Sequence, residues 1–432
     1  MIAPSSRLLW LAAVVALPAA TLAGIAPGWA GAGAAVLGIC AVVAALDGVR
    51  GAQRAARIQV RTPAVVRLTK DAGGSCLVIV ENRSGAERRV RVALAMPDGI
   101  TAEKRVDDVV APAGEARIDW HCTGLRRGDH ALREVHLETA SPMGLWMARA
   151  SRAVQCSFRV YPNLRDRATA SLFLRTGEAG LRLRRQVGKG REFENLRHYL
   201  PGDSFEDIHW KATARRGFPA VKLYQVEHAQ EVYAVIDHSR LAAREDILES
   251  YVNAALHLAL LAERQGDRFG LVTFSDRTHR FVRAHRGLAH FRLCRETIYN
   301  LRTDRVSPDF REVFTNLQVN LRRRALLVFF THLDDALLAE TFEREVSLLA
   351  RRHVVLVNVG RTSNLKPLFT GEPPADLSAV YQGLAGQMLW NRMRALKMAL
   401  SNKGVRLSLV DPARIKTQVT SEYLEVKRRQ RL

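Results

Sequence analysis

Three kinds of apolar patterning follow one another along the 432-residue chain. From Leu8 to Leu46 no charged residue occurs. One bilayer-spanning helix needs about 20 apolar residues, so this run has length for two. Pro27-Gly28 interrupts it and predicts a hairpin with helices over about 8–25 and 30–46. Gly31, Gly33 and Gly38 predict a close approach between them. Between 58 and 162 the period falls to two. Cys76–Val80 is a short apolar strand, Arg89–Leu94 alternates polar and apolar, and Asp129–Thr139 and Ala153–Tyr161 follow suit. Turn residues such as Gly73-Gly74 and Pro97-Asp98-Gly99 separate them, which predicts an antiparallel, β-sandwich-like module. From 229 onward, apolar strands alternate with helical periodicity. Glu231–Ile236, Phe269–Phe274, Ala325–Phe330, Val354–Val359 and Val405–Val410 read as strands. The segment 243–265 carries Ile247, Tyr251, Ala254, Ala255, Leu258 and Leu261 on one helical face. This predicts a doubly wound α/β domain with a mostly parallel sheet. The expected organisation is multidomain: a transmembrane helical hairpin over 1–57, the β module over 58–162, a basic connector over 163–228 and the α/β domain over 229–432.

Composition changes the picture in two ways. Lys and Arg number 65 against 43 Asp and Glu, a formal net charge of +22, so anionic partners are favoured. The five cysteines, Cys40, Cys76, Cys122, Cys156 and Cys294, are widely spaced, with no Cys-x-x-Cys. They form no disulfide framework or zinc knuckle and fit a reducing compartment. Arg7 precedes the apolar run, and Arg50, Arg54 and Arg57 follow it, while its central turn carries no Lys or Arg. The positive-inside rule then places both ends of the hairpin, and the bulk of the chain, on the cytoplasmic side of a membrane. A cleavable signal peptide ending near Ala19–Ala23 is the rival reading, disfavoured because the apolar run continues well beyond that point. The basic residues are spread without interleaved aromatics, so the charge reads as affinity for anionic lipid more than for nucleic acid.

Ligands of open α/β sheets bind beyond the carboxyl ends of the strands. Two such ends carry polar residues: Asp237-His238-Ser239-Arg240-Leu241 and Thr331-His332-Leu333-Asp334-Asp335. The first resembles the cation-binding loop of von Willebrand factor A-type domains, an apolar strand running into Asp-x-Ser-x-Ser. Asp237 and Ser239 stand at its first two ligand positions, but Leu241 occupies the third and His332 stands where a later loop's Asp belongs. Two readings follow: a degenerate divalent-cation site, or residues that cap nearby backbone. The loss of oxygen ligands favours the second, so no cofactor is expected. Thirteen histidines are scattered, and His238 and His332 alone make no metal site. Gly-x-Ser-x-Gly, His-Glu-x-x-His and Gly-x-Gly-x-x-Gly are absent, and Gly188-Lys189 is followed by Gly190 where a phosphate-binding loop needs Ser or Thr. These absences point away from an enzyme.

The connector holds Gly190-Arg-Glu192-Phe193, then Arg197-His-Tyr199-Leu-Pro201-Gly202-Asp203, then Ile208-His209-Trp210-Lys211-Ala-Thr-Ala214-Arg215. This ordered series is similar to the signature of the bacterial domain-of-unknown-function family number 58. Ser141-Pro142-Met143-Gly144-Leu145-Trp146 resembles that family's preceding β region. The resemblance implies a von Willebrand A-like fold, no established catalysis, and a chaperone-like partnership with a MoxR-type AAA+ ATPase, together with other membrane or envelope proteins. Glu192, Arg197, Tyr199, Pro201, Gly202, Asp203, Trp210, Lys211 and Arg215 are the signature residues carried over, with two uses open to them. Either Trp210 is buried and Asp203 or Asp207 pairs with Arg197 or Arg215, or the segment meets the partner directly; burial is the commoner use of such residues. The expected function is a membrane-anchored adaptor, with a nucleic-acid or anionic-lipid binding protein as the alternative.

Overall fold

The computed structural model describes residues 1–432 apart from 26, 165–186, 202, 226–229, 244–246, 362–364, 366, 368–376 and 430–432. It divides into two compact units, Met1–Asn163 and Leu164–Leu432.

In the first unit, α1 (Ser6–Ile25) and α2 (Ala30–Ala56) form a hairpin. Gly33 lies against Ala19 of α1, whereas Gly31 and Gly38 face open space, so one of the three expected close approaches forms. By length and composition α2 can cross a membrane. It runs ten residues beyond the apolar stretch read from the sequence. The reason is a second stripe, of small residues: Ala44, Gly48, Gly51 and Ala55 recur at helical spacing and are buried. A Cβ built on Gly51 would stand 3.0 Å from Ser141 Cβ, and one on Gly48 would stand 3.4 Å from the Trp146 indole.

The surface they meet is a two-sheet module. Its strands are β1 (Ile2–Pro4), β2 (Ile58–Arg61), β3 (Val65–Thr69), β4 (Gly73–Asn82), β5 (Arg88–Leu94), β6 (Ile100–Ala102), β7 (Val106–Ala111), β8 (Gly114–Gly124), β9 (Gly128–Ala140) and β10 (Trp146–Tyr161). One sheet has the order β1-β10-β9-β5-β7, with β3 also on β10; the other is β2-β4-β8-β6. All pairings are antiparallel except β3 with β10. Val78, Val92, Trp120, Leu137 and Phe158 share one core, which also takes in Cys76, Cys122 and Cys156. The outer edge of β10 is closed piecewise. Ile2–Pro4 pairs with 146–148, and β3 pairs with 157–161. Between them the Arg152 guanidinium donates to the carbonyls of Ala55 (2.7 Å) and Ile58 (2.9 Å).

In the second unit, the described part of the predicted connector is not a linker. It forms a two-stranded ribbon of β11 (Val187–His198) and β12 (Ala220–Gln225), joined through the short helix α3 (Trp210–Arg216). A six-stranded sheet follows: β13 (Glu231–Asp237), β14 (Arg268–Phe274), β15 (Thr278–His285), β16 (Ala325–Thr331), β17 (Val354–Gly360) and β18 (Arg406–Val410). Its order is β15-β14-β13-β16-β17-β18, parallel except for β15. Helices α4 (Ile247–Arg264), α5 (Leu288–Ile298) and α9 (Ile415–Arg428) share one core with the sheet. Helices α6 (Phe310–Asn320), α7 (Ala336–Arg352) and α8 (Leu377–Asn402) share the other. Alternation within strands assigns the faces: Val232, Ala234 and Ile236 enter the first core, and Tyr233 and Val235 the second. The doubly wound α/β domain read from the apolar strands is therefore what the chain builds. Strand order reverses between β13 and β16, so a crevice is expected at their carboxyl ends.

Candidate functional site

Asp237 closes β13 and is wholly buried. Its Oδ2 accepts from Thr331 Oγ1 at 2.6 Å, and its Oδ1 from the Ser239 amide at 2.8 Å. Ser239 Oγ in turn faces the Leu241 amide at 3.4 Å, and the Leu241 side chain is buried. Burial pushes the Asp237 carboxyl above the usual carboxylate range, against the pull of the Thr331 and Ser239 hydrogen bonds. The two candidate cation ligands thus do stand together, with the Thr331 hydroxyl supplying from inside the protein the contact an ion would make. His332 is buried beside them, its Nδ1 2.8 Å from the Tyr251 hydroxyl. That hydroxyl donates to the Thr331 carbonyl at 2.8 Å and accepts from the Gly360 amide at 3.0 Å. A Cβ on Gly360 would stand 2.9 Å from the His332 ring, so a larger residue there would displace that ring. The result is a closed network that ties β13, β16 and β17 together at the topological switch.

The signature segment builds a second feature. Asp203 accepts both guanidinium nitrogens of Arg197, at 2.7 and 2.5 Å, and the Leu200 amide at 2.8 Å. The Arg197 hydrogen bonds, then the Leu200 amide, hold its carboxyl below the ordinary range. The carboxylate thereby pins the 198–203 turn to the ribbon. Farther on, His209 Nδ1 accepts the Ala212 amide as the N-cap of α3, and Gly217, at φ 72°, ends that helix in the left-handed region. Ile208, Ala220 and Val221 are buried, and His198 stacks on Phe218 with ring centroids 3.9 Å apart.

Trp210, expected inside, is 68% exposed, and Leu200 and Phe205 are 57% and 72% exposed. The burial expectation fails: in this segment Ile208, Ala220 and Val221 are the buried apolar residues, and Trp210, which opens α3, faces outward. Lys211, Arg215 and Pro201 are also exposed, and Tyr199 is half-buried with its ring 5.9 Å from that of Phe205. Glu192 lies in β11. Gly202 lies outside the described residues.

His238 meets its partners elsewhere than at His332. Its Nδ1 lies 3.3 Å from Asp304, and its ring packs edge-on against His279 with centroids 4.8 Å apart. Asp304 and His279 went unremarked in the sequence because their positions hold no motif. Backbone bonds of the fold bring them in: the His238 amide donates to the Phe274 carbonyl, and the Asp304 amide to the His238 carbonyl.

The family model described as "Protein of unknown function DUF58" matches residues 195–366, which span the pinned turn, α3 and most of the sheet. No curated protein matches the chain in sequence. Among solved structures, the SpRpn10 VWA domain aligns at 12% identity over 45% of this chain and 95% of its own, with a TM-score of 0.25. PapD-like domain 7 of human CEP192 aligns at 8% identity over 25% of this chain and 87% of its own, with a TM-score of 0.19. The proximal thread matrix protein 1 of the mussel byssus aligns at 11% identity over 46% of this chain and 45% of its own, with a TM-score of 0.28.

Proposed function

With residues 195–366 belonging to the DUF58 family, we propose that this protein is a non-enzymatic adaptor anchored by its α1–α2 hairpin in the bacterial cytoplasmic membrane. Its β module and α/β domain lie on the cytoplasmic side, and its 197–216 segment docks a MoxR-type AAA+ ATPase. One observation carries the reading: the segment that starts at the turn pinned by the Arg197–Asp203 pair displays Leu200, Phe205 and Trp210 to solvent, with the exposed cations Lys211 and Arg215. Large apolar side chains that a fold does not bury are the usual anchors of interfaces, and Trp and Arg dominate their energetics. Two features favour binding over catalysis. Both oxygens of Asp237 are engaged internally, and burial pushes the Cys294 thiol up to about 12, away from nucleophilic use. The basic excess favours an acidic partner face and apposition to anionic lipid.

The test is affinity capture from native bacterial membranes with the full chain and its Trp210→Ala and Phe205→Ala variants. Because both side chains are exposed, the variants should unfold within about 0.5 kcal/mol of the parent. They should also lose the ATPase from the captured fraction. Retention of the ATPase by folded variants would remove the proposed docking role.

A further inference from the structure

We propose that His238, His279 and Asp304 bind a divalent transition-metal cation of the zinc class. Each offers one ligand atom, and these atoms lie within 4.8 Å of one another. His238 Nδ1 is 3.3 Å from Asp304 Oδ2, and His279 Nε2 is 3.6 Å from the same oxygen. Metal–ligand bonds of about 2.0–2.1 Å at tetrahedral angles separate neighbouring ligands by about 3.3–3.4 Å. The trio therefore needs shifts of only a few tenths of an ångström around Asp304, and a modest approach of the two rings.

A second, independent observation points to a ligand. His238 is 3% exposed, and its ring nitrogens are only loosely engaged: neither makes a well-aligned hydrogen bond, and Nδ1 has the 3.3 Å approach of Asp304 Oδ2. Buried imidazole nitrogens are rarely left so. A cation bound at Nδ1 satisfies one of them.

The site is built on rigid parts. His238 follows β13, His279 stands on β15, and Asp304 is fastened by its own amide to the His238 carbonyl. Ser275 Oγ lies 2.7 Å from His279 Nε2 and 3.1 Å from Asp304 Oδ2. Metal entry requires that hydroxyl to turn to Asp276 Oδ1, already 3.0 Å away. Asp304 and His279 are partly exposed, which gives the ion a way in and leaves a fourth position for water or a partner's carboxylate. Two imidazoles with one carboxylate suit zinc, cobalt or nickel, whereas magnesium and calcium want oxygen. The site thus differs in chemistry and residues from the degenerate Asp237 loop, and it stands apart from the adaptor reading.

The experiment uses the detergent-purified full chain, stripped with chelator and titrated with zinc chloride by calorimetry and with cobalt chloride by visible absorption. One zinc per chain at micromolar affinity or better is expected, with four-coordinate cobalt bands free of thiolate charge transfer. His279→Gln and Asp304→Asn, both partly exposed, should each weaken zinc at least about tenfold while leaving the circular-dichroism melt in place. Three results would overturn the proposal: no zinc binding tighter than about 100 µM, a thiolate-to-cobalt band, or undiminished binding in the folded double variant.

Discussion

Asp47 is where the charge-free run ends, and the structure gives it work that a reader of the sequence would not guess. It is buried and accepts from the Ser141 hydroxyl (2.5 Å), the Met143 amide (2.9 Å) and the Leu145 amide (3.4 Å), holding the Ser141–Trp146 turn against α2. Asp47→Ala strands these donors, and at about 1–3 kcal/mol for a buried unsatisfied group the loss should reach about 2–5 kcal/mol. Denaturant unfolding and proteolysis at 141–146 would register it. Two buried histidines make the α/β domain's stability depend on pH. Burial first, then neighbouring cations, lowers His257 and His353 to about 4. Their folded values lie below the unfolded one, so the unfolded chain takes up protons first. Stability is whole above about 6.5 and drains as pH falls toward 4. Asp237, raised by burial, works in the opposite sense, so the comparison must isolate one group. Between pH 7.5 and 5, His353→Gln should lose about 2 kcal/mol less than the parent in paired thermal melts. Asp237, Ser239, Arg197 and Asp203 could be picked out from the sequence because they sit in short ordered motifs. The meeting of His238 with His279 and Asp304 could not, because the pairing of β14 with β13 and β15 brings in His279 and a loop backbone bond to the His238 carbonyl brings in Asp304. Nor could the exposure of Trp210, since residue type argues for burial and only the fold shows that it faces solvent.

At the scale of elements, period was the dependable guide. Strands of the α/β sheet read as apolar runs because both faces are covered, and β5 and β8 alternate because one face is. The ribbon of β11 and β12 with α3 was read only as a connector, and two further elements escaped for reasons that can be named. The last ten residues of α2 hide behind Asp47, Arg50 and Arg54, which look like an exit into water, while burial uses the Ala44-Gly48-Gly51-Ala55 stripe on another face. β1 is three residues long, includes Pro4, and has no periodicity to show. The position of α9 depends on an ion pair. Lys427 Nζ lies 2.9 Å from buried Asp267, which also accepts from the Tyr423 hydroxyl and, at 3.3 Å, from the Gln230 amide. One of the terminal basic residues counted toward an anionic partner is therefore spent inside the fold. Lys427→Met leaves a buried carboxylate one cation short and should cost about 3 kcal/mol, read as a lowered unfolding midpoint with faster amide exchange along α9.

For the whole molecule, the order of hairpin, β module and α/β domain was legible because each has its own apolar period. The piecewise closure of β10 was not, since it joins residues from three distant stretches. Ile2–Pro4 and the end of α2 both dock on that strand, so the hairpin leaves and returns to the same face of the β module. Deleting residues 2–4 should quicken hydrogen exchange at Ala148 and Trp146, their register partners, while leaving the α/β domain's protection unchanged. The arrangement also imposes a schedule. Ile2–Pro4 is made well before the strand it pairs with, which follows only after 145 further positions have been read, on the order of ten seconds later at about 5–20 residues per second. Throughout that interval the helical hairpin must find its place while its leading strand has nothing to pair with. Whatever receives the hairpin during synthesis also keeps that strand within reach of a partner not yet made.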